Sequence, residues 1–241
     1  MSLLPSGLTG LPAFDIGIVC DALSGPGYIA VRLTDTEMLG ALRHEARALW
    51  QDDALKPAGI GRAEDHELIA GVRRDKTKWL DGSTQGQIAY LAFAEALRQN
   101  VNARLMLGLF AFEAHFAVYE SGGFYKRHVD SFRGARNRVL STVLYLNPDW
   151  REGDGGHLRI YGEGDCVLGE LRPEFATLAV FLSEEIPHEV TISHRERFSI
   201  AVGIGAMILA LHRRSRSGPC RSRPSPAGSR ASAGHSHPAR P

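Results

Sequence analysis

The sequence predicts an α+β protein in which helices precede an antiparallel β-barrel or jelly roll. Two observations support this fold class: apolar residues recur with a helical period only in the first 110 residues, and from about residue 111 the period changes to two. The chain has 241 residues, of which 44% are hydrophobic. It is therefore long enough for one well-buried core and short for two full domains.

Two segments have the apolar spacing of amphipathic helices. The first begins near Thr34 and Asp35, which can cap it, and the second runs from about Ser83 to about Leu105. The predicted buried faces comprise Met38, Leu39, Leu42, Ala46 and Leu49 in the first helix and Tyr90, Ala94, Leu97, Val101 and Leu105 in the second. We expect both helices to pack on one outer face of the sheet.

Short segments rich in apolar and β-branched residues predict the strands. Two of them, 27–33 and 76–80, precede the barrel, and residues 57–70 between them have the composition of an irregular loop. The later strands are predicted at 114–119, 124–130, 138–146, 157–161, 177–182, 188–192 and 197–202. We therefore divide the chain into an N-terminal support region (1–110), a jelly-roll core (111–203) and a tail (204–241).

The net charge of +1 hides an uneven distribution. Residues 213–241 carry seven arginines and no acid, which leaves 21 basic and 27 acidic residues in positions 1–212, a net charge of −6. The Arg, Ser and Pro content of the tail predicts disorder, so a nucleic-acid partner is not expected. No basic leader precedes an apolar run, no segment is long enough to cross a membrane, and three scattered cysteines suggest no disulfide framework. We expect a cytoplasmic protein without a membrane partner.

His128 and Asp130 lie two positions apart in a predicted strand. Residues i and i+2 project from the same face of a strand, so both side chains can reach one metal ion. His188 follows Pro187 at the start of another predicted strand and is the candidate for a third ligand. Two histidines and one carboxylate occupy one face of an octahedron and leave the other face open, which suits a non-haem Fe(II) oxygenase.

Arg197 strengthens this interpretation, because about half of one His-x-Asp pair is expected by chance in a chain of this composition. It opens the next predicted strand, nine residues after His188. A guanidinium can hold the far carboxylate of a five-carbon keto diacid through two parallel hydrogen bonds. A surface salt bridge with Glu189 or Glu196 is the alternative. The remaining eight histidines, His115 among them, lack such a context, and we expect them to be structural or solvent-facing.

Five motifs occur in order between residues 73 and 202. They are R-R-D-K-T-K-W-L (73–80), A-V-Y-E-S-G-G-F-Y-K-R-H-V-D (117–130), V-L-Y-L-N-P-D-W (143–150), G-G-H-L-R-I-Y (155–161), and H-E-V (188–190) followed by the arginine. Together they resemble the Fe(II)/2-oxoglutarate-dependent prolyl hydroxylases, specifically the hypoxia-inducible-factor prolyl hydroxylases and their bacterial relatives. The resemblance implies a double-stranded β-helix, which is a jelly roll, as the core.

The resemblance also implies roles for individual residues. His128, Asp130 and His188 would hold Fe(II), and Arg197 would bind the far carboxylate of 2-oxoglutarate. Tyr145 would donate its hydroxyl to the same carboxylate. The cosubstrate pocket would be lined by Tyr119, Val143 and Leu158, for which core packing is the alternative role.

The segment from Pro57 to Trp79 corresponds to the loop that the family closes over its peptide substrate. Asp75 and Trp79 are therefore predicted substrate contacts, and a solvated loop acid is the alternative for Asp75. The activity implied is hydroxylation of a prolyl residue in a protein, a translation factor among the candidates, with conversion of 2-oxoglutarate and O2 to succinate and CO2. Ascorbate is expected to support the reaction.

Two other functions fit the same residues. One is a 2-oxoglutarate oxygenase that acts on a free amino acid or another small molecule, and the other is a binding module that keeps the fold without turnover. Composition does not separate these possibilities. A gain of one oxygen atom by a protein in a lysate would favour the prolyl hydroxylase, and an absence of succinate would favour the binding module.

The resemblance ends after Val202. Family members usually continue this strand with a tryptophan and another aromatic residue, whereas G-I-G-A-M follows here before the arginine-rich tail. Suitable codons for residues 202–208 would encode Val-Trp-Tyr-Arg-Cys-Asp-Asp after insertion of one T. This departure suggests a one-base frameshift near residue 203 and a tail of non-native sequence, which reading the gene in all frames tests.

Overall fold

The computed structural model describes residues 15–59, 71–130 and 138–206. Its helices are α1 (Ile16–Ser24), α2 (Thr36–Gln51) and α3 (Gln85–Leu105). Its strands are β1 (Tyr28–Arg32), β2 (Lys56–Pro57), β3 (Asp75–Trp79), β4 (Leu109–Tyr119), β5 (Tyr125–His128), β6 (Arg138–Tyr145), β7 (Leu158–Tyr161), β8 (Val167–Leu171), β9 (Thr177–Phe181), β10 (His188–Val190) and β11 (Arg197–Ala206). None of the described helices combines the length and apolar composition that a membrane crossing requires.

The two predicted helices are confirmed as α2 and α3, and side-chain caps fix where they begin. The Asp35 carboxylate accepts a hydrogen bond from the Met38 backbone N–H at the start of α2. The Thr84 hydroxyl accepts one from the Gln87 backbone N–H at the start of α3. Helix α1 was not predicted, because its nine residues contain too few turns to display an apolar period.

The strands form two antiparallel sheets that confirm the predicted jelly roll. The larger sheet has the order β1-β9-β6-β11-β4-β3-β2, and the smaller one has the order β5-β10-β7-β8. Strand β11 lies at the centre of the larger sheet and pairs with β4 on one side and β6 on the other. A side chain near the start of β11 is therefore surrounded by strands on both sides.

The larger sheet packs one face against the helices, as predicted, and turns the other face toward a cavity. Along β11, Phe198 and Ile200 are buried in the core that α2 and α3 complete. Arg197, Ser199 and Ala201, which alternate with them, line the cavity. The period of two in the sequence thus separates core residues from cavity residues.

Several strand boundaries differ from the predicted ones. Strand β5 ends at His128, so Asp130 lies two residues past its end, and β4 begins at Leu109, five residues before the predicted start. Strand β8 was not predicted, because its alternate residues are partly exposed and it contains a glycine. Strand β11 runs to Ala206 and stays paired there with β4, beyond the predicted core boundary at residue 203.

Residues 207–241 of the predicted tail and 60–70 of the predicted loop lie outside the described residues.

Candidate active site

Three potential metal ligands converge where the two sheets face each other. His128 and His188 pair directly across β5 and β10. The backbone N–H of Asp130 donates a hydrogen bond to the Ser183 carbonyl oxygen at 2.8 Å, which fixes the chain after β5 ends. One ligand atom from each of His128, Asp130 and His188 lies within 4.8 Å of the other two. The structure thus brings together the three residues that the sequence selected.

Both imidazoles are oriented by the backbone in the same way. The Nδ1 atoms of His128 and His188 lie 2.8 Å and 2.9 Å from the carbonyl oxygens of Lys126 and Ile186. A carbonyl only accepts, so each Nδ1 carries the proton and each Nε2 keeps a free lone pair. Burial lowers the pKa of His128 to about 4 and lowers that of His188 as well. Both rings are therefore neutral at neutral pH, as metal coordination requires.

Asp130 is held as a carboxylate by its surroundings. Its Oδ2 atom accepts a hydrogen bond of 2.8 Å from the Ser141 hydroxyl, and its Oδ1 atom lies 3.4 Å from the Arg138 guanidinium. Burial favours the protonated acid, but Arg138, the two histidines and Ser141 outweigh burial and lower the pKa of Asp130. The third potential ligand therefore carries the negative charge that a divalent cation needs.

Arg197 lies in the interior, only 1% exposed, at the start of β11. Its Nε donates to the Gly156 carbonyl oxygen at 2.8 Å, and its Nη1 donates to the Ser199 hydroxyl at 3.2 Å. The guanidinium carbon lies 5.0 Å from the ring centroids of both Tyr119 and Tyr145. Two aromatic rings and two neutral acceptors thus fix the orientation of a buried cation.

No carboxylate neutralises Arg197 among the described residues, and the predicted alternative, a salt bridge with Glu189 or Glu196, is not formed. Glu189 pairs with Arg159, and Glu196 accepts from the Trp50 indole N–H. A buried charge without a counterion is costly, so the site fits an anionic ligand. The Tyr145 hydroxyl is completely buried, and no described residue makes a hydrogen bond of good geometry to it. Both groups are complementary to one carboxylate.

One cavity of about 520 Å³ contains both groups of residues. His128, Asp130 and His188 contribute to its wall, as do Arg197 and the predicted pocket residues Tyr119, Val143 and Leu158. Tyr145 lies next to the cavity on β6, in a small apolar cluster with Val143 and Leu158. Burial raises the pKa values of Tyr119 and Tyr145, so both phenols keep their protons and can donate hydrogen bonds.

Asp75 and Trp79, the predicted substrate contacts, occupy different environments on β3. The Asp75 side chain is 0% exposed and accepts hydrogen bonds from Arg73 at 2.5 and 2.8 Å. Arg73 lines the cavity, whereas Asp75 does not. Trp79 lines the cavity with 58% of its surface exposed, so it lies at the opening. A substrate contact stays a prediction for both residues, and only Trp79 presents its side chain to the cavity.

Several side chains that support or line the site were not predicted. Ser141 and Ser199 were missed because a lone serine in a strand carries no signal, and His115 was expected to be structural or solvent-facing. The period of two could have identified His115 and Ser199. His115 lies four positions before Tyr119 on one face of β4, and Ser199 lies two positions after Arg197 on one face of β11.

Arg138 occupies the space that the predicted tryptophan would need. Gly203 pairs with Ser141 across β11 and β6, and a Cβ atom at Gly203 would overlap the Arg138 Nε atom. With glycine at position 203, the Arg138 side chain lies in this space and its guanidinium reaches Asp130. The departure from the family pattern after Val202 therefore changes the wall of the cavity next to a predicted metal ligand.

Comparisons with known proteins agree with this fold. The 2OG-Fe(II) oxygenase superfamily profile matches residues 114–204. The human protein Egl nine homolog 1 is 33% identical over 159 residues, which cover 59% of this chain and 37% of the relative. The chain spans between 37% and 58% of the length of the curated relatives it matches.

Two solved structures are similar over most of the fold. A crystal structure of a Pseudomonas putida prolyl-4-hydroxylase is 35% identical with a TM-score of 0.71, and the match covers 79% of this chain and 98% of that one. A Trichoplax adhaerens prolyl hydroxylase, solved with a hypoxia-inducible-factor oxygen degradation domain peptide fragment, is 26% identical with a TM-score of 0.69, over 79% and 88% of the two chains. The chain therefore belongs to the 2OG-Fe(II) oxygenase superfamily and is homologous to the Egl nine prolyl hydroxylases and the Pseudomonas prolyl-4-hydroxylase.

Proposed function

We propose that this protein is a Fe(II)- and 2-oxoglutarate-dependent dioxygenase that hydroxylates a prolyl residue in a protein substrate. The observation that carries the proposal is the shared cavity, in which a His-Asp-His cluster and a buried arginine without an acidic partner face the same space. The family uses Fe(II), 2-oxoglutarate and O2. We also propose that the protein acts in the cytosol.

The donor set fits Fe(II). Two imidazole Nε2 atoms and one carboxylate oxygen would hold the ion through His128, Asp130 and His188, leaving positions open for other ligands. The backbone carbonyls that accept from the two Nδ1 atoms keep the rings in place, and Ser141 keeps Asp130 in place. These supporting hydrogen bonds let the residues bind the ion without reorganisation.

The second part of the cavity fits 2-oxoglutarate. Arg197 would bind the C5 carboxylate through the N–H groups that Gly156 and Ser199 do not use. Tyr145 would donate its unpaired hydroxyl to the same carboxylate. Tyr119, Val143 and Leu158 would contact the carbon chain of the cosubstrate and exclude water from it.

When bound, Fe(II) and 2-oxoglutarate supply the oxidising chemistry, in which O2 provides one oxygen atom to succinate and the other to the substrate C–H bond, with release of CO2. The contribution of the protein is to bind and orient the reactants. His128, Asp130 and His188 fix the place of reaction, and the side chains around Arg197 fix the cosubstrate relative to it.

A protein substrate is supported by the opening of the cavity and by the relatives. Trp79 exposes a large apolar surface there, which suits contact with a polypeptide. The Trichoplax relative was solved with a peptide from a protein substrate, and the Pseudomonas relative is named a prolyl-4-hydroxylase. A translation factor is one candidate for the substrate of this chain.

The proposal is tested with purified protein, Fe(II), ascorbate and 2-oxoglutarate labelled at C1, with and without a bacterial lysate. We expect lysate-stimulated release of labelled CO2 and the gain of one oxygen atom on a proline of a lysate protein. A His188→Ala variant should lose both signals, and a His194→Ala variant, changed at an exposed histidine, should keep both.

The outcomes separate the alternatives. Stimulation by the low-molecular-mass fraction of the lysate alone would favour an oxygenase that acts on a free amino acid or another small molecule. Binding of 2-oxoglutarate without formation of succinate under any condition would favour a non-catalytic binding module. Either result would contradict hydroxylation of a protein.

A further inference from the structure

His115 is a polar residue on the cavity wall that the site described above does not use. It lies on β4, four residues before Tyr119 and on the same face of the strand, and its ring lines the cavity. Only 7% of the residue is exposed. A histidine so deeply buried normally has hydrogen-bond partners for its ring nitrogens.

Neither ring nitrogen of His115 has a hydrogen-bond partner among the described residues. Nδ1 is shut off from solvent without a partner, which leaves Nε2 as the nitrogen that can face the cavity. A buried N–H without a partner is rarer than a buried lone pair, so the tautomer with the proton on Nε2 is favoured. Burial, reinforced by Arg73 and Arg138, lowers the pKa of His115 to about 3 and keeps the ring neutral.

His115 contacts Trp79 at the cavity opening and shares the cavity with His128, Asp130 and His188. Its ring meets the exposed Trp79 ring edge to face, with 5.1 Å between the ring centroids. Across the sheet it pairs with Ala201, which in turn pairs with the cavity residue Val143. The Ala201 methyl group is too small to cover the imidazole. A polypeptide that binds over Trp79 would therefore also meet His115, because the two rings are in contact and line the same cavity.

The chemistry of proline makes a hydrogen-bond donor the complementary group. A prolyl residue and the residue before it offer backbone carbonyl oxygens, but proline has no backbone N–H. The neutral His115 ring offers one N–H at Nε2, which faces the cavity, and the described residues provide no hydrogen-bond acceptor for it. An acceptor on the substrate would satisfy this donor at the moment when the substrate excludes water from the cavity.

We propose that His115 positions the substrate by donating a hydrogen bond from Nε2 to a backbone carbonyl oxygen of the prolyl residue or of the residue before it. This inference rests on the proposed function and adds a residue that selects and orients the substrate. His115 touches neither the metal ligands nor Arg197 in this role, so it acts on the peptide alone.

The test compares two substitutions of nearly equal size. His115→Gln keeps an N–H donor near the position of Nε2, whereas His115→Met has similar length and no donor. Each protein is loaded with Mn(II) and 2-oxoglutarate, which prevents turnover, and is used to capture peptides from an equimolar pool of proline-centred heptapeptides. A second pool with alanine in place of the central proline is the control. Every peptide that the wild type retains is then titrated singly, and its hydroxylation is measured with Fe(II).

We expect wild type and His115→Gln to bind the same peptides with Kd values within about threefold, and His115→Met to bind them about tenfold more weakly. The Kd for 2-oxoglutarate should be the same in all three proteins. Any of three results would overturn the inference. Wild type and His115→Met could bind the peptides equally well, both variants could bind them equally weakly, or the wild type could retain the alanine pool as well as the proline pool. Selective, His115-dependent binding without hydroxyproline would overturn the proposed function and keep the inference, and no binding by the wild type would overturn both.

Discussion

The Arg197 Nε atom donates a hydrogen bond to the carbonyl oxygen of Gly156, 2.8 Å away, and Gly156 in turn leaves the space in which the arginine side chain lies. The backbone of Gly156 has a φ of +65°, and a Cβ atom there would lie 3.0 Å from the Arg197 Cδ atom. The loop before β7 therefore positions the guanidinium in two ways. The Gly156 carbonyl oxygen accepts a hydrogen bond from it, and the absence of a side chain at Gly156 leaves room for it.

Substitution of Gly156 by alanine is expected to displace Arg197. The added methyl group would push against Cδ, and the left-handed backbone would disfavour alanine by about 1 kcal/mol. We expect the KM for 2-oxoglutarate to rise about tenfold and the free energy of unfolding to fall by about 1 kcal/mol. Gly153→Ala is the control, because a Cβ atom at Gly153 has no neighbour within 4 Å. Equal 2-oxoglutarate binding by the two variants would argue against this positioning role.

Replacement of Arg197 by lysine tests whether the cavity needs a guanidinium or only a positive charge. Lysine cannot donate to Gly156 and Ser199 and at the same time present two parallel N–H groups to a carboxylate. Charged hydrogen bonds of this kind contribute about 1.5 to 3 kcal/mol, so the Kd for 2-oxoglutarate should rise about 10- to 100-fold. Calorimetric titration of the Mn(II)-loaded protein measures it. Arg195→Lys, at an exposed arginine two residues earlier, should bind like the wild type.

Removal of the Ser141 hydroxyl is expected to weaken metal binding. Ser141 donates to Asp130 Oδ2 at 2.8 Å and also lies 2.8 Å from the Ser183 hydroxyl. Without this donor the Asp130 carboxylate loses a hydrogen bond that fixes its orientation and that helps to lower its pKa. Loss of such a supporting hydrogen bond typically costs 10- to 100-fold in metal affinity, and we expect about tenfold for Ser141→Ala in a Mn(II) titration. An unchanged Kd would show that Arg138 and the two histidines suffice, and Ser121→Ala, at an exposed serine, is the matched control.

Helices α2 and α3, the positions of most strands along the chain and the convergence of His128, Asp130 and His188 could be predicted from the sequence because each depends on local pattern. The period of two correctly placed Val143 and Tyr145 on one face of β6. The i, i+2 spacing also correctly predicted that His128 and Asp130 lie close together, although β5 ends before Asp130. The hydrogen bond from the Asp130 backbone N–H to the Ser183 carbonyl oxygen fixes the chain at Asp130, where strand pairing has already ended. Local spacing was sufficient there because a second element fixes the chain.

What could not be predicted depends on which side chains meet across strands. No local pattern in the sequence indicates that the Ser141 hydroxyl donates to Asp130, that Arg197 donates to Gly156, or that Arg138 fills the space over Gly203. These contacts join residues that are distant in sequence or that pack against a missing side chain. Pairing between strands, rather than periodicity within one, determines them.

The burial of His115 also predicts how the stability of the fold depends on pH. A histidine in the unfolded chain takes up a proton near pH 6.5, whereas burial keeps the pKa of His115 at about 3 in the folded protein. Below about pH 6.5 the unfolded state therefore binds more protons, and the free energy of unfolding falls as the pH decreases, whereas above that pH His115 adds no pH dependence. Each pH unit corresponds to about 1.4 kcal/mol per proton, so His115 accounts for about 2 kcal/mol between pH 6.5 and pH 5.

Urea unfolding in the presence of a chelator, at about pH 7.5 and about pH 5, measures this contribution without metal binding. We expect His115→Gln to lose about 2 kcal/mol less than the wild type between the two conditions, because glutamine does not titrate. His128, whose pKa burial also lowers, contributes to the fall in both proteins and cancels in the comparison. A His194→Gln variant, changed at an exposed ring, should lose as much as the wild type. Equal losses in wild type and His115→Gln would mean that the ring of His115 is protonated or reached by water in the folded protein, which contradicts its burial against the cavity wall.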